Sequence, residues 1–355
     1  MKKSLFILML SLVCLGGLVY WWQTDTQQAD REVKGRVTKP SDEAHIVSDW
    51  ERPFITDRND SWKIMSYETT AEQVNELIPG EDKQLLPVLI DNDELIYFTA
   101  TEGFYKLWRY SLLEKSNIFV IGIRQAPIEL EVAANGRFAV YTVLDTSRSN
   151  LGNRCFLVNL ETRQIKEIGS GIRDIEISPD NRHIAYTMDH GLYFIEVLHS
   201  KDPTSPIMIQ EGDIEAPVFS KSGERIYFIK QLDDVASIVS TDLRGAEDKE
   251  ILALEVSGGN AEWTMELSQD GEKLLYTDII DSEALRGNIG WIRTDGTDQH
   301  YYVNQGISAH WSKTGHEIWY NRLEIKNGQV SRQIWKMNDQ GNYREAVTQE
   351  GNNWF

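Results

Sequence analysis

Cysteine is scarce in this 355-residue chain: there are two, Cys14 and Cys155. Cys14 falls inside an uncharged run from Leu5 to Trp22, so an intramolecular disulfide is not expected and the fold has to hold by packing. Cys155, opening an apolar segment, reads as a small buried hydrophobe rather than a reactive thiol. Positive charge is short as well. Against 55 Asp and Glu there are 36 Lys and Arg, a net charge of −19, which argues against nucleic acid and anionic lipid surfaces as partners because both need a basic footprint. The sequence also lacks a Gly-x-Ser-x-Gly elbow, a His-Glu-x-x-His pair and a Gly-rich phosphate loop. Its seven His are scattered, and His183, His190 and His316 fall on or beside turns. Helical periodicity is nearly missing too, with one weak stretch from Thr70 to Leu77.

What the chain has is a repeat. Ser178-Pro-Asp-Asn-Arg-His-Ile-Ala-Tyr186 recurs as Ser268-Gln-Asp-Gly-Glu-Lys-Leu-Leu-Tyr276, Ser220-Lys-Ser-Gly-Glu-Arg-Ile-Tyr-Phe228 and Ser312-Lys-Thr-Gly-His-Glu-Ile-Trp-Tyr320. Weaker copies end at Tyr97 and Tyr141. A fixed period of about 44 residues marks a radial or stacked array. Before each Ser, apolar residues alternate with polar ones (Ile175 and Ile177 around Glu176; Met265 and Leu267 around Glu266), which is strand periodicity. The following Asp-Asn, Ser-Gly, Asp-Gly and Thr-Gly pairs accept positive φ and turn the chain into a hairpin. A third apolar segment follows each hairpin and a fourth, shorter one completes the unit. Four strands per repeat predict an all-β fold, a β-propeller of four-stranded blades. Residues 46–355 accommodate about seven units at this period. Seven blades are favoured, with six the alternative in which 46–84 becomes an extension. Gly351-Asn-Asn-Trp-Phe355 reads as an innermost strand that closes the ring on the first blade.

The uncharged run from Leu5 to Trp22 follows Lys2 and Lys3 and ends in Tyr20-Trp21-Trp22. Its length, basic start and aromatic end suit a transmembrane helix acting as an uncleaved signal anchor over residues 1–22, with a cleaved signal and lipid attachment at Cys14 as alternatives. Each places the bulk of the chain in the periplasm or on the extracellular face, touching the membrane through its N-terminal segment alone. Residues 23–45 have no Phe, Trp or Tyr and read as a disordered polar stalk.

Aligning the repeats brings candidate binding residues into register. Two positions before the Ser stand Glu131, Glu176, Glu266 and His310, and four before it stand Glu129 and Asp174. On innermost strands this parity faces the central channel, so the residues form either an acidic binding channel or its solvated wall. Long polar insertions between second and third strands (Asp145 to Arg154, Asp278 to Asn288, Arg322 to Arg332) should crowd one rim, where Arg148, Arg154, Asp281, Arg286 and Lys326 are candidate partner contacts.

The Ser178-Pro-Asp-Asn to Ile-Ala-Tyr186 unit resembles the repeat of the TolB-like propeller family, over at least residues 85–348. That resemblance implies a propeller used for Tol-pathway partner binding, for substrate gating in prolyl oligopeptidase-type enzymes or for cleavage in some pectin-fragment lyases. The reading is a protein-binding or scaffolding module of the cell envelope with no cofactor assigned and no catalytic residue named. The alternative is a metal-assisted saccharide lyase or hydrolase using the channel. If Glu131, Glu176 and Glu266 hold a divalent cation, thermal unfolding with millimolar Ca²⁺, Mn²⁺ or Zn²⁺ shows a melting shift that Glu176→Gln loses; no shift with any of the three ions counts against such a site.

Overall fold

The alternating segments and their turns become antiparallel sheets. The computed structural model describes residues 52–57, 61–80, 82–90, 93–145, 152–189, 191–197, 205–232, 235–255 and 262–355. The anchor (1–22), the stalk (23–45) and Arg148 lie outside the described residues. No helix among those described is long and apolar enough to cross a membrane. Residues 70–77 are not helical: a turn leads into a strand at Gln73–Glu76, because pairing of Tyr67 with Val74 and Ser66 with Asn75 satisfies that backbone in a ladder.

The first sheet contains β1 (Phe54–Thr56), β2 (Lys63–Glu68) and β3 (Gln73–Glu76). The second contains β4 (Lys83–Ile90), β5 (Glu94–Thr101), β6 (Phe104–Ser111) and β7 (Ser116–Ile123). Next comes a seven-stranded sheet of β8 (Pro127–Val132), β9 (Phe138–Asp145), β10 (Gly152–Asn159), β11 (Ile165–Ile177), β12 (His183–Met188), β13 (Gly191–Glu196) and β14 (Ile207–Glu211). Three four-stranded sheets follow. They are β15 to β18 (Asp213–Phe219, Arg225–Leu232, Val235–Asp242, Lys249–Glu255), β19 to β22 (Glu262–Leu267, Lys273–Asp281, Arg286–Arg293, His300–Tyr302) and β23 to β26 (Ile307–Trp311, Glu317–Lys326, Gln329–Asn338, Glu345–Ala346). The last strand, β27 (Asn353–Trp354), joins the first sheet, giving the order β27-β1-β2-β3. The first strands β4, β8, β15, β19 and β23 and the middle strand β11 of the seven-stranded sheet lie side by side, β4 with β8, β8 with β11, β11 with β15, β15 with β19 and β19 with β23. They therefore line the centre, and the later strands run outwards.

Apolar faces of neighbouring sheets pack on each other, which is where the core sits. Ile96, Phe98 and Leu107 meet Ala139, Tyr141 and Val158; Tyr227, Ile229 and Ile238 meet Trp263, Leu274 and Tyr276; Leu275, Ile289 and Trp291 meet Trp311, Ile318 and Tyr320.

The repeated Ser has a definite task. The Ser178 hydroxyl accepts from the His183 amide at 2.9 Å, and Ser268 does the same for Lys273 at 2.9 Å, Ser220 for Arg225 at 3.1 Å and Ser312 for Glu317 at 3.2 Å. Ser268 also donates to Asp270 at 2.6 Å. That hydroxyl and the Glu272 amide hold the Asp270 carboxyl below the usual carboxylate range. Gly271 sits at φ +81°, a left-handed position that an L side chain rarely takes. Four such turns are tied to the end of their third strand, through Leu160 N to Arg137 O at 2.9 Å, Val197 N to Arg182 O at 2.6 Å, Thr294 N to Glu272 O at 2.9 Å and Asp339 N to His316 O at 3.0 Å. Both turns thus share one face of the ring, the turn face, and the hairpins between second and third strands point to the other, the tip face.

Closure uses both chain ends. β1 pairs with β27 through Ile55 with Trp354 and Thr56 with Asn353. A buried polar latch fixes it: the Asn353 amide donates to Gln333 Oε1 at 3.0 Å, Asn321 donates to the Asn353 carbonyl at 3.0 Å, Thr348 donates to Gln333 at 2.6 Å, and the Asn352 side chain donates to Asp57 at 2.9 Å. Removing one member leaves buried groups unpaired. Asn353→Ala is expected to lower stability by about 2–4 kcal/mol in urea unfolding, whereas Tyr343→Ala, on the surface, leaves it nearly unchanged. Equal midpoints for the two variants would show that the latch does not hold the ring.

Candidate functional site

Carboxylates from four consecutive first strands converge on the channel, and most of them grip the next strand along. Glu131 on β8 accepts from the Ile177 amide of β11 at 3.0 Å. Glu176 on β11 accepts from the Phe219 amide of β15. Glu215 on β15 accepts from the Trp263 amide of β19 at 3.2 Å, and Glu266 on β19 accepts from the Trp311 amide of β23. A second contact of this kind joins Asp174 to the Ala216 amide at 3.4 Å, and Asp174 also takes the Thr187 hydroxyl at 2.7 Å. Glu176, Glu215 and Glu266 thus staple their own sheets to the next, and Glu131 ties together two strands of the seven-stranded sheet. The parity that marks these positions in the sequence has a structural cause as well as a place in the channel.

Nearer the turn face the channel holds Glu131, Glu176, Glu266 and His310. Burial pushes the Glu131 carboxyl up to about 7. Burial, with the neighbouring Glu131 and Glu266 charges, raises Glu176 well above the ordinary range. Glu131 and Glu176 are hydrogen-bonded to each other, so one carries a proton between them. Glu266 differs. Although burial works against its charge, Arg52 at 3.0 Å and His310 Nδ1 at 2.7 Å hold it below the usual range. Burial and the Arg52 charge lower His310, outweighing the pull of Glu266. The consistent state is a neutral His310 donating Nδ1–H to an ionised Glu266. The His310 ring meets the Phe355 ring at 4.9 Å, so both ends of the described chain reach this mouth.

Nearer the tip face lie Glu129, Asp174, Glu215 and Glu262. Burial pushes Glu215 up to about 7, aided by the Asp174 charge. Burial and the Glu131 and Asp174 charges raise Glu129 well above the ordinary range, and burial with Asp174 raises Glu262. Glu215 and Glu262 are absent from the set aligned by repeat position. Glu215 stands five places before Ser220, where Arg173 stands before Ser178, beside a bulge between Glu215 and Val218 that recurs in β11 between Ile172 and Ile175. Pro217 in the strand was the available signal. Among the described residues, no group of three or more His, Cys, Asp or Glu is placed to hold a metal ion.

The described rim residues, Arg154, Asp281, Arg286 and Lys326, lie toward the tip face, but their setting differs from loops. The insertions at 278–288 and 322–332 are mostly paired strand: β20 runs to Asp281 and β21 resumes at Arg286, while Lys326 pairs with Gln329 across Asn327-Gly328. Continued pairing satisfies the backbone that a loop would leave to water, and Asn327 and Gly328 take the positive φ of a two-residue hairpin, +55° and +77°. Arg286 bonds Asp281 at 3.1 Å, and Arg154 bonds Glu167 at 2.6 Å on the outer strand. The hairpin tips also carry exposed apolar side chains, Leu232 (73% exposed), Val235, Ile280, Ile325 (77%) and Val330.

No protein-family model matches the chain, and no curated protein matches it in sequence. Solved structures do. An oligogalacturonate lyase in complex with manganese is similar with a TM-score of 0.62 at 12% identity, covering 82% of this chain and 86% of that one. A puromycin-hydrolyzing peptidase from Mycobacterium tuberculosis gives 0.56 at 12% identity, over 84% of this chain and 53% of that one. TolB from Acinetobacter baumannii gives 0.49 at 15% identity, over 72% of this chain. The chain spans 64% of that TolB. The likeness is one of fold: the chain is a β-propeller.

The raised carboxyls set a pH dependence. A carboxyl raised from 4.5 to about 7 binds more protons folded than unfolded between those values, so its contribution is complete below the lower one and lost as pH rises through the upper. The protein should melt a few degrees higher at pH 5 than at pH 8, and Glu215→Gln should flatten that difference by raising the pH 8 value. An unchanged pH profile in the variant would mean that Glu215 titrates normally.

Proposed function

We propose that this is an exported, membrane-tethered propeller of seven blades that binds a protein partner of the cell envelope through its tip face. The observation that carries the reading is the set of apolar side chains at hairpin tips on that face, Leu232, Val235, Ile280, Ile325 and Val330. Apolar groups held in water on a rigid frame are what a partner surface offers. Seven blades follow if the seven-stranded sheet is two blades joined in one strand, β11 serving as outer strand of one and inner strand of the next. The apolar run of residues 5–22 supports the tether, and residue 52 enters the ring at the turn face, which leaves the tip face turned away from the point of entry. Resemblance of the repeat to TolB-like propellers points the same way.

The other reading, a metal-assisted saccharide lyase or hydrolase, asks for several His and carboxylate ligands converging in the channel. The described channel brings one His, His310, onto Glu266. Photo-crosslinking in cells separates the faces. A photoreactive residue at Ile325 or Leu232 is expected to give a discrete adduct with one envelope protein, while one at Tyr343, 85% exposed on the turn face, gives none. Adducts from both faces alike, or from neither, would sink the tip-face assignment.

A further inference from the structure

Asparagine followed by glycine is a reactive pair, because glycine has no Cβ to keep its amide nitrogen away from the preceding carboxamide. The chain has two such pairs, Asn135-Gly136 and Asn327-Gly328, and the fold treats them oppositely. Asn135 lies on the turn face with both reacting groups engaged. Its Oδ1 accepts from the Arg137 amide at 3.0 Å, and the Gly136 amide donates to the Ala133 carbonyl at 2.8 Å. Gly136 is buried, and side chains of Arg109, Ile90 and Glu94 stand within 4 Å of where a Cβ would be. Asn327 and Gly328 are the two central residues of the β24–β25 hairpin, just beyond the pair Lys326 with Gln329. Both are exposed, and apart from the chain neighbours nothing stands within 4 Å of a Cβ placed on Gly328. Among the described residues, neither the Asn327 carboxamide nor the Gly328 amide has a hydrogen-bond partner.

We propose that Asn327 is a site of spontaneous deamidation, a one-way chemical modification of the tip face. The Gly328 nitrogen attacks Cγ of Asn327 and forms an N–C bond. Its proton and the side-chain NH2 group leave together as ammonia, and a cyclic succinimide closes. Water then opens the ring. Addition at Cγ gives an aspartyl residue, and addition at the backbone carbonyl gives an isoaspartyl one, whose main chain runs through Cβ. Both products bring a negative charge beside Ile325 and Val330. The isoaspartyl product also lengthens the main chain of a turn whose two residues sit at φ +55° and +77°, the conformation that sets the register of the strands it joins. The pairs next to it, Ile325 with Val330 and Lys326 with Gln329, therefore fray. Asn327 has to leave its turn for the attack, and a hairpin end of exposed pairs opens at little cost. The turn at Asn135 has two hydrogen bonds and its packing to break first. The modification stands whether or not a partner binds the tip face.

Peptide mass mapping of the full chain in mild detergent, kept for days at mildly alkaline pH, tests this. The peptide holding Asn327 should gain the mass difference between water and ammonia and split into two chromatographic forms, while the peptide holding Asn135 reacts at least about tenfold more slowly. In urea the two sites should react at similar rates, because the contrast belongs to the fold and not to the dipeptide. Asn327→Gln should leave its peptide unchanged, and amide exchange in the aged, unsubstituted chain should quicken at residues 324–331. An Asn327 peptide that stays unchanged in the folded chain, an Asn135 that reacts as fast, or a contrast that persists in urea would each overturn the proposal.

Discussion

Two residue pairs decide whether this chain is a ring. β27 meets β1 over Ile55 with Trp354 and Thr56 with Asn353, and every sheet interface relies on its neighbours being held in a circle. A ladder this short contributes little alone. The network of Asn353, Gln333, Asn321 and Thr348 makes up the difference, because these four buried side chains are bonded to one another and to the nearby backbone. The cost of breaking one bond is therefore close to the cost of orphaning several groups.

The channel follows from the same constraint. Inner strands of adjacent sheets share few backbone bonds, since each pairs outwards within its own sheet. Glu176, Glu215 and Glu266 supply bonds across that gap, and Glu131 does the same between β8 and β11 of the seven-stranded sheet. A carboxyl suits the task because it is long enough to cross and can accept an amide proton. Crowding is the penalty, and protonation relieves it. Where Arg52 and His310 touch it directly, Glu266 is held below the usual range; for Glu131 and Glu215 burial outweighs the pull of Arg52 and Arg173, and for Glu129 and Glu176 neighbouring carboxylates add to burial.

Much of the fold was legible because a turn must be written in residues that tolerate it. Ser178, Ser220, Ser268 and Ser312 mark the turns by a hydroxyl that caps a specific amide, and the following Gly or Asn marks positive φ. The closing role of Gly351 to Phe355 could be read from its resemblance to a first strand. What could not be read depended on register. Glu215 stands one place before the repeat positions that carry the other carboxylates, next to a bulge that interrupts alternation, and Glu262 stands two places before them. The continuity of β11 is invisible to a periodic pattern, since a merged strand and two separate strands have the same alternation. Arg52 could not be read because it stands just before a second strand, and not among the first-strand positions that face the channel. The insertions at 278–288 and 322–332 looked polar and loop-like, yet continued pairing made them strands.

That the chain enters at the turn face, while the hairpin tips lie opposite, has a mechanical consequence. A pull applied between residue 52 and a molecule held at the tips is directed from one face to the other, along the run of the inner strands. Such tension loads the hydrogen bonds of β1 with β2 and with β27 in shear, all at once, instead of peeling them apart one at a time. The ring is thus built to bear load along its axis, and the bonds that close it are also the ones that take the strain.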